Sequence, residues 1–157
     1  MMKEKTQLYS CPVGLLVLTL RDGCLVSVDI TDKKTEQQRA PLEADVNISS
    51  QLDEYFSGKR RNFSLPVKLD GTEFQKNVWQ EMQRIPHGKT ITYGAMASKL
   101  NSSPRAVGNA CRANPIPVIV PCHRVVAKNG PGGYCGQTSG KHLMTKQWLL
   151  QHEGATI

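Results

Sequence analysis

The feature that most constrains the fold of this 157-residue chain is a change of hydrophobic pattern near Leu69-Asp70-Gly71. Before this point, apolar residues alternate with a period of two, as in β-strands, and after it they recur every three or four residues, as in helices. A chain of this length can form one core or two small domains. We therefore predict an α/β domain over residues 1–70 and a mainly α domain over residues 71–157.

A β-hairpin is predicted in the first domain. Apolar residues alternate over residues 15–20 and again over residues 25–30, on either side of Asp22-Gly23. An Asp-Gly pair between two such runs is typical of a tight hairpin turn. The first domain should therefore contain a small sheet.

The rest of the first domain gives weaker signals. Residues 31–46 are polar and indicate a surface connection, and the apolar spacing over residues 48–56 predicts a short helix that ends at Gly58. A further strand is expected over residues 61–69. No pattern in this half indicates catalysis, so the first domain is predicted to be a scaffold.

The second domain carries a helix-turn-helix pattern. Thr72 and Gln75 form a capping box at the start of its first helix. Residues 93–100 then form an amphipathic helix, and Ser103 caps the next helix with Pro104 in the first position. Two short helices joined by a turn of three or four residues are typical of helix-turn-helix motifs.

A last helix is predicted after a glycine-rich loop over residues 127–136. This helix covers about residues 139–152, with Gly154 as a candidate C-terminal cap. Four residues share one side of it: Met144, Trp148, Leu149 and His152.

The excess positive charge is confined to the second half of the chain. Residues 1–70 hold ten basic and ten acidic side chains, whereas residues 71–157 hold ten basic and three acidic ones, which accounts for the net charge of +7. A basic surface without a specific partner is one explanation. The other is a nucleic-acid surface, because phosphate neutralisation supplies most non-specific affinity.

The second helix of the motif has one apolar face and one polar face. The polar face combines two cations, an amide and a glycine at helical spacing: Arg105, Gly108, Asn109 and Arg112. An ordinary solvated face would explain this composition. Because the whole half is basic, we prefer a recognition helix in a DNA groove, with Gly108 permitting close approach and the arginines contacting phosphates or bases. Ser103, at the start of the helix, belongs to the predicted DNA surface.

Cys122 is the candidate nucleophile. A free cysteine is usually a small buried hydrophobe. Here, however, Pro121 fixes the backbone before the thiol, and His123 with Arg124 brings positive charge beside it. Positive charge favours the thiolate, which is the reactive form.

The sequence also offers a base for this thiol. His123 is adjacent and could act through a water molecule, and Glu153 is one of only three acids in the basic half. We therefore predict a Cys122–His123–Glu153 relay, although a solvated carboxylate would also explain Glu153. The residues alone leave a thiol peptidase and an alkyl acceptor open. The helix-turn-helix pattern favours a nucleic-acid substrate.

Composition disfavours several other classes of protein. The five cysteines are odd in number and widely spaced, which argues against a disulfide framework or a structural zinc site. No apolar run is long enough to span a membrane, and the polar first residues lack the core of a signal peptide. We expect a cytoplasmic protein, monomeric and without a cofactor.

Three segments resemble the O6-alkylguanine-DNA alkyltransferases, also called methylated-DNA–protein-cysteine methyltransferases. Residues 116–126, IPVIVPCHRVV, resemble the active-site signature of that family. Residues 74–114 resemble its helix-turn-helix region, and residues 148–154 resemble its final helix. The resemblance implies a ribonuclease-H-like first domain and a winged-helix-like second domain.

The resemblance implies direct repair of alkylated DNA. Cys122 would accept the alkyl group from O6 of guanine, and also from O4 of thymine, in a reaction that each molecule performs once. His123, polarised by Glu153, would deprotonate the thiol through a water. Asn114 would hold the backbone around the cysteine, and Tyr93 would help to rotate the nucleotide and donate a proton to the leaving base.

The same resemblance implies the contacts to double-stranded DNA and to the base. Arg105 would fill the space in the duplex, since the base must leave the stack to reach the thiol. The carbonyls of Cys122 and Val125 would read the guanine amino group. The backbone amide that meets O6 would belong to Cys135 or Ser139, because the segment after Tyr134 looks longer than is usual in the family. The pocket would therefore contain Pro117, Val125, Tyr134, Cys135 and Ser139.

Two further hypotheses and one departure accompany the resemblance. A non-catalytic sensor of alkylated DNA or a helix-turn-helix regulator would not need Cys122, and a cysteine hydrolase would turn over without DNA. Some members of the family bind zinc in the first domain through Cys and His. This chain has Cys11 and Cys24 there but no histidine before His87, so we expect no zinc.

Overall fold

The chain divides into two compact units, Met1–Leu69 and Asp70–Ile157, close to the change of hydrophobic pattern. Each unit buries apolar side chains of its own. The structure, a computed structural model, describes residues 4–31, 42–43, 45–134 and 140–155. Within these residues, no helix has both the length and the apolar character that a membrane span requires.

The first unit contains a four-stranded sheet in the order β3-β2-β1-β4. Its strands are β1 (Glu4–Cys11), β2 (Gly14–Arg21), β3 (Cys24–Thr31) and β4 (Leu42–Glu43). The first three strands pair antiparallel, and β4 pairs parallel with β1. The predicted hairpin is confirmed as β2–β3, with Asp22 and Gly23 at φ values of 52° and 82°. Positive φ at both central residues is the requirement of a type I′ turn.

The predicted helix of this unit is confirmed as α1 (Val46–Phe56). Ser57 forms its C-cap, and Gly58 follows with φ of 83°. The helix lies beside β1, since the Tyr9 hydroxyl donates to Asp53 over 2.5 Å and the Tyr9 ring stacks on Phe56.

Two expectations for the first unit were wrong. Residues 61–69 form no strand but touch β3 through one parallel bridge, between Leu25 and Val67. Pro66 lacks the N–H that a continued ladder needs, which limits the pairing. Part of the expected surface connection is strand β4, and residues 32–41 of that connection lie outside the described residues.

The second unit is mainly helical. Its elements are α2 (Glu73–Gln83), β5 (Ile91–Thr92), α3 (Tyr93–Lys99), α4 (Pro104–Arg112), a 3-10 turn (Cys122–Arg124), β6 (Val125–Val126) and α5 (Lys141–His152). Strands β5 and β6 pair parallel. This pairing places the N-terminus of α3 beside the segment that follows Cys122.

The predicted caps of these helices are confirmed. The Thr72 hydroxyl and the Gln75 side chain form both bonds of the capping box of α2. The Thr92 hydroxyl accepts from the Ala95 N–H over 3.0 Å at the start of α3, and the Ser103 hydroxyl accepts from the Ala106 N–H over 3.1 Å at the start of α4. Side-chain acceptors at these positions satisfy backbone donors that the helix leaves unpaired.

The side of α5 that packs against the unit differs from the stripe noted in the sequence. Its buried residues are Thr145, Lys146, Leu149 and Leu150, whereas Met144 is 66 % exposed. A buried lysine explains the difference, because the apolar spacing of the sequence assigns a lysine to the solvent.

Candidate active site

Cys122 lies in a buried turn between an apolar segment and strand β6. It opens the 3-10 turn and is 5 % exposed. The preceding segment is buried at Ile116, Val118 and Val120. Val118 has φ of 74°, a strained value for a β-branched residue. Burial raises the pKa of the Cys122 thiol, so this thiol needs help from its neighbours to ionise.

Asn114 braces the segment that carries the thiol. Its Nδ2 donates to the carbonyl of Val120 over 2.9 Å, and its Oδ1 accepts from the N–H of Ile116 over 3.0 Å. A hydrogen bond from Asn114 also lowers the pKa of Cys122, against the effect of burial. One amide side chain thus holds the backbone on the N-terminal side of the reactive turn and contacts the thiol.

His123 and Glu153 form a buried pair. The His123 Nε2 lies 2.7 Å from Glu153 Oε2, and both side chains are fully buried. Glu153 is the C-cap of α5, so the last helix of the chain brings the carboxylate to the turn that carries Cys122. The structure therefore brings together the histidine and the acid that the sequence predicted as a relay.

The protonation of this pair follows from its surroundings. Burial alone would raise the pKa of Glu153, but hydrogen bonds and charges from His123 and Arg124 hold it well below its usual range. Burial lowers the pKa of His123 more than Glu153 raises it. The carboxylate is ionised, so Nε2 of the neutral imidazole donates to it. The buried Nδ1, which has no hydrogen-bond partner among the described residues, then carries the lone pair.

Arg124 is part of the framework rather than a neighbour of the thiolate. Its Nε donates to Glu153 Oε1 over 2.9 Å, a second nitrogen donates to Oε2 over 3.0 Å, and the third donates to the carbonyl of Ile85 over 2.7 Å. All of its nitrogens are therefore used, and its charge is matched by a carboxylate. The sequence-based expectation that Arg124 favours the thiolate receives no support from this arrangement.

Tyr93 and the glycine-rich loop lie on another side of the site. Burial raises the pKa of Tyr93 to about 12, and a backbone hydrogen bond from Gly133 opposes this rise. Gly132 sits against the ring: a Cβ on this residue would lie 2.9 Å from the hydroxyl of Tyr93. The tyrosine hydroxyl is thus held at the loop in its protonated form, ready to donate a hydrogen bond.

Lys146 is a site residue that sequence reasoning missed. It is fully buried, and its Nζ donates to the carbonyls of Val125 and Gly133 over 2.7 and 2.8 Å. The same nitrogen lies 3.5 Å from the Tyr93 hydroxyl. The only signal available in the sequence was its position on α5, at the helical spacing of Leu149 and Leu150.

The predicted pocket residues are described only in part. Pro117, Val125 and Tyr134 are buried, whereas Cys135 and Ser139 lie outside the described residues. Which backbone amide would face O6 therefore stays a prediction.

The predicted DNA surface lies on the open face of α4. Arg105, Asn109 and Arg112 are exposed, while Val107 and the rest of the apolar face are buried. A Cβ on Gly108 would meet nothing within 4 Å, so space is open above that residue. Ser103 is occupied by its cap. The helix is also anchored from behind, because the Trp79 indole donates to the carbonyl of Ala110 over 2.9 Å.

Comparison with known families matches both units. The sequence model for the DNA-binding domain of 6-O-methylguanine DNA methyltransferase matches residues 73–155. The model for the ribonuclease-like domain of the same family matches residues 5–69. Together these two matches span both halves of the chain.

Individual proteins are similar over nearly the whole chain. The methylated-DNA–protein-cysteine methyltransferase of Metallosphaera sedula is 37 % identical over 150 residues, which cover 95 % of this chain and 92 % of that protein. The crystal structure of the Mycobacterium tuberculosis O6-methylguanine methyltransferase has a TM-score of 0.81 at 31 % identity and covers 97 % of this chain and 93 % of its own. The structure of the Mycobacterium tuberculosis protein in complex with DNA has a TM-score of 0.80 at 32 % identity, with coverage of 95 % and 92 %. The predicted fold class, a small-sheet first domain and a helical second domain, is confirmed.

Proposed function

Because the chain belongs to the 6-O-methylguanine DNA methyltransferase family, we propose that it repairs DNA by moving an alkyl group from O6 of guanine to Cys122. One observation carries the assignment of the acceptor. A buried thiol directly precedes a neutral histidine whose Nε2 is bound to an ionised carboxylate. That arrangement leaves a basic nitrogen and a cysteine on one short turn, as nucleophilic catalysis requires.

The first step is removal of the thiol proton. The lone pair on His123 Nδ1 takes this proton through a bridging water, and the Glu153 carboxylate stabilises the imidazolium that forms. Arg124 keeps the carboxylate ionised and in place. The product of this step is a thiolate in a buried turn.

The second step is an in-line displacement. The Cys122 sulfur forms a bond to the alkyl carbon while the bond from that carbon to O6 breaks, and the electron pair of that bond passes to the guanine. Tyr93 donates a hydrogen bond to the base as it leaves, and the proton lost by the thiol is returned to the base. Cys122 becomes a thioether and the guanine is restored, so each molecule reacts once. O4-alkylthymine would enter the same displacement.

DNA is held by the exposed face of α4. Arg105, Asn109 and Arg112 supply contacts to phosphates and bases, and the open space over Gly108 lets the groove approach. The thiol is buried, so it cannot reach a base inside the duplex, and the nucleotide must rotate into the pocket. Arg105 fills the space that the base leaves.

Inside the pocket, the carbonyls of Cys122 and Val125 read the guanine amino group, and Pro117 with Tyr134 forms apolar walls. Cytoplasmic location and a monomeric state remain predictions alongside this mechanism.

A mass measurement tests the proposal. The protein is incubated with duplex DNA that contains one O6-methylguanine, and the intact mass and the modified peptide are measured. We expect a gain of one methyl group on Cys122 and none in Cys122→Ser. An unchanged mass in protein that still binds this DNA would instead identify a non-catalytic sensor. Repeated turnover of the substrate would identify a hydrolase.

A further inference from the structure

We propose that Lys146, rather than His123 or Arg124, is the cation that stabilises the Cys122 thiolate, and that the same ammonium then supports Tyr93 as negative charge moves to the departing base. Lys146 touches no reacting atom in this scheme, so it is a positioning residue. The second half of the proposal rests on the proposed function, whereas the first half concerns the thiol alone.

The ammonium joins three segments that surround the reactive turn. It donates to Val125, three residues after Cys122, over 2.7 Å and to Gly133 in the glycine-rich loop over 2.8 Å. Its distance to the hydroxyl of Tyr93, at the start of α3, is 3.5 Å, and it lies 5.7 Å from the centre of that ring. A side chain anchored at all three points cannot move away from the site.

No carboxylate matches this charge among the described residues that interact with Lys146. Its hydrogen-bond partners are two carbonyls and a hydroxyl. The ionisable groups that face it are Tyr93, Cys111, Cys122 and His123. Buried charges are normally paired, because an unpaired one carries the full cost of leaving water. An anion that exists only during the reaction would explain why this cation is kept.

The electrostatic influence runs in both directions. Lys146 lowers the pKa of Cys122 against the effect of burial, and Cys122 raises that of Lys146. Burial is the larger effect on the lysine and lowers its pKa to about 8, so the ammonium is the main form at neutral pH. In contrast, Arg124 is neutralised by Glu153, and His123 is neutral. Lys146 is therefore the uncompensated cation at the thiol.

The position also suits the path of the negative charge. The charge begins on the Cys122 sulfur and disappears there when the carbon–sulfur bond forms. The electron pair of the broken carbon–oxygen bond leaves it on the base, which Tyr93 contacts through its hydroxyl. Lys146 keeps its proton throughout and offsets the charge at both ends of the transfer.

The test measures the ionisation of Cys122 without DNA. Iodoacetamide alkylation is followed by peptide mass spectrometry as a function of pH in the wild type and in Lys146→Gln, which retains a donor but no charge. Cys24, half-buried in the first unit, is an internal reference in each sample. We expect the midpoint of alkylation at Cys122 to move to a pH that is higher by about one or more, which is the usual effect of losing an opposite charge nearby. The midpoint at Cys24 should stay unchanged.

Two further variants separate charge from structure. Lys146→Arg keeps the charge and should stay closer to the wild-type midpoint than Lys146→Gln does. Lys141→Gln removes an exposed cation from the same helix and should leave the midpoint where it is. Thermal melting establishes that each variant is folded.

The outcomes are decisive in either direction. A midpoint in Lys146→Gln equal to that of the wild type, or an equal rise of the midpoint in the Gln and Arg variants, would overturn the assignment. Transfer from O6-benzylguanine, measured in the same variants at neutral pH, should fall about tenfold when the midpoint rises by about one pH unit, because the thiolate fraction falls by the same factor. If the wild type transfers no alkyl group but its midpoint still depends on Lys146, the proposed function fails and the thiolate assignment stands.

Discussion

Arg124 and Lys146 are both buried cations of the second unit, yet their partners differ. Arg124 lies against a carboxylate and a carbonyl, with every nitrogen bonded. Lys146 lies against two carbonyls, a hydroxyl and two thiols. The first arrangement is balanced at rest and belongs to the framework. The second is balanced only when a neighbouring group becomes an anion, which is what a site that generates a thiolate requires.

The largest effect is expected from breaking the balanced cluster. Glu153→Gln leaves Arg124 buried without its counter-charge, so the free energy of unfolding should fall by about 3–5 kcal/mol. His123 also loses its acceptor, and alkyl transfer should be nearly abolished. Urea unfolding and single-turnover transfer measure the two effects.

Glu81→Gln is the matched control for that variant. Glu81 forms an ion pair with Arg84, whose side chain is 73 % exposed. Its removal should change the free energy of unfolding by less than about 1 kcal/mol. Equal losses in the two variants would show that the Glu153 cluster does not depend on its burial.

The two clusters should also respond to pH with opposite sign. The folded pKa of Glu153 is depressed, so its contribution to stability is complete above about pH 4.5, the ordinary value, and is lost as the pH falls below it. The folded pKa of Lys146 is lowered from 10.5 to about 8. The unfolded chain therefore binds more protons between those values, and stability should rise with pH there.

This difference can be measured in a Cys122→Ser background, which removes the thiol that titrates beside Lys146. Stability relative to Lys146→Met should increase from pH 8 towards pH 10, and stability relative to Glu153→Gln should decrease below pH 4.5. Tyr93, Cys111 and His123 are present in both members of each pair. A flat profile in the alkaline range would contradict a buried ammonium at position 146.

The smallest effect on the site is expected from a cation that is exposed. Arg105→Ala should leave stability within about 0.5 kcal/mol of the wild type and leave transfer from free O6-benzylguanine unchanged. Transfer from duplex DNA should slow about tenfold, because the rotated base is less well replaced in the stack. Comparing the rates on the two substrates checks this. Equal slowing on both would place Arg105 in the chemistry instead of in the duplex.

Local patterns in the sequence were sufficient for the hairpin at Asp22-Gly23 and for the caps at Thr72 and Ser103. Each depends on residues a few positions apart. The Cys122–His123 pair was equally visible because its members are adjacent. Glu153 was found by counting the few acids of a basic half, and α5 carries it to the turn.

The parts that were missed depend on contacts between distant segments. Strand β1 shows no clear apolar alternation, and even Gln7 is buried in it, because a hydrogen bond to Asp45 satisfies its amide. The sequence assigns Lys146 to the solvent until its side of α5 is known to face the loop and Val125. Which cation serves the thiol was therefore a question of tertiary packing, and proximity to Cys122 in the sequence gave the wrong answer for Arg124.

The contact between Gly132 and Tyr93 has a consequence for sequence drift. A methyl group at Gly132 would lie 2.9 Å from the tyrosine ring and hydroxyl, and φ there is 77°. Gly130, two residues earlier in the same loop, has nothing within 4 Å of such a group. A lineage can therefore replace Gly130 at little cost, whereas any change at Gly132 displaces the hydroxyl that Lys146 touches. Selection on the chemistry should thus reach into a loop position that carries no functional group.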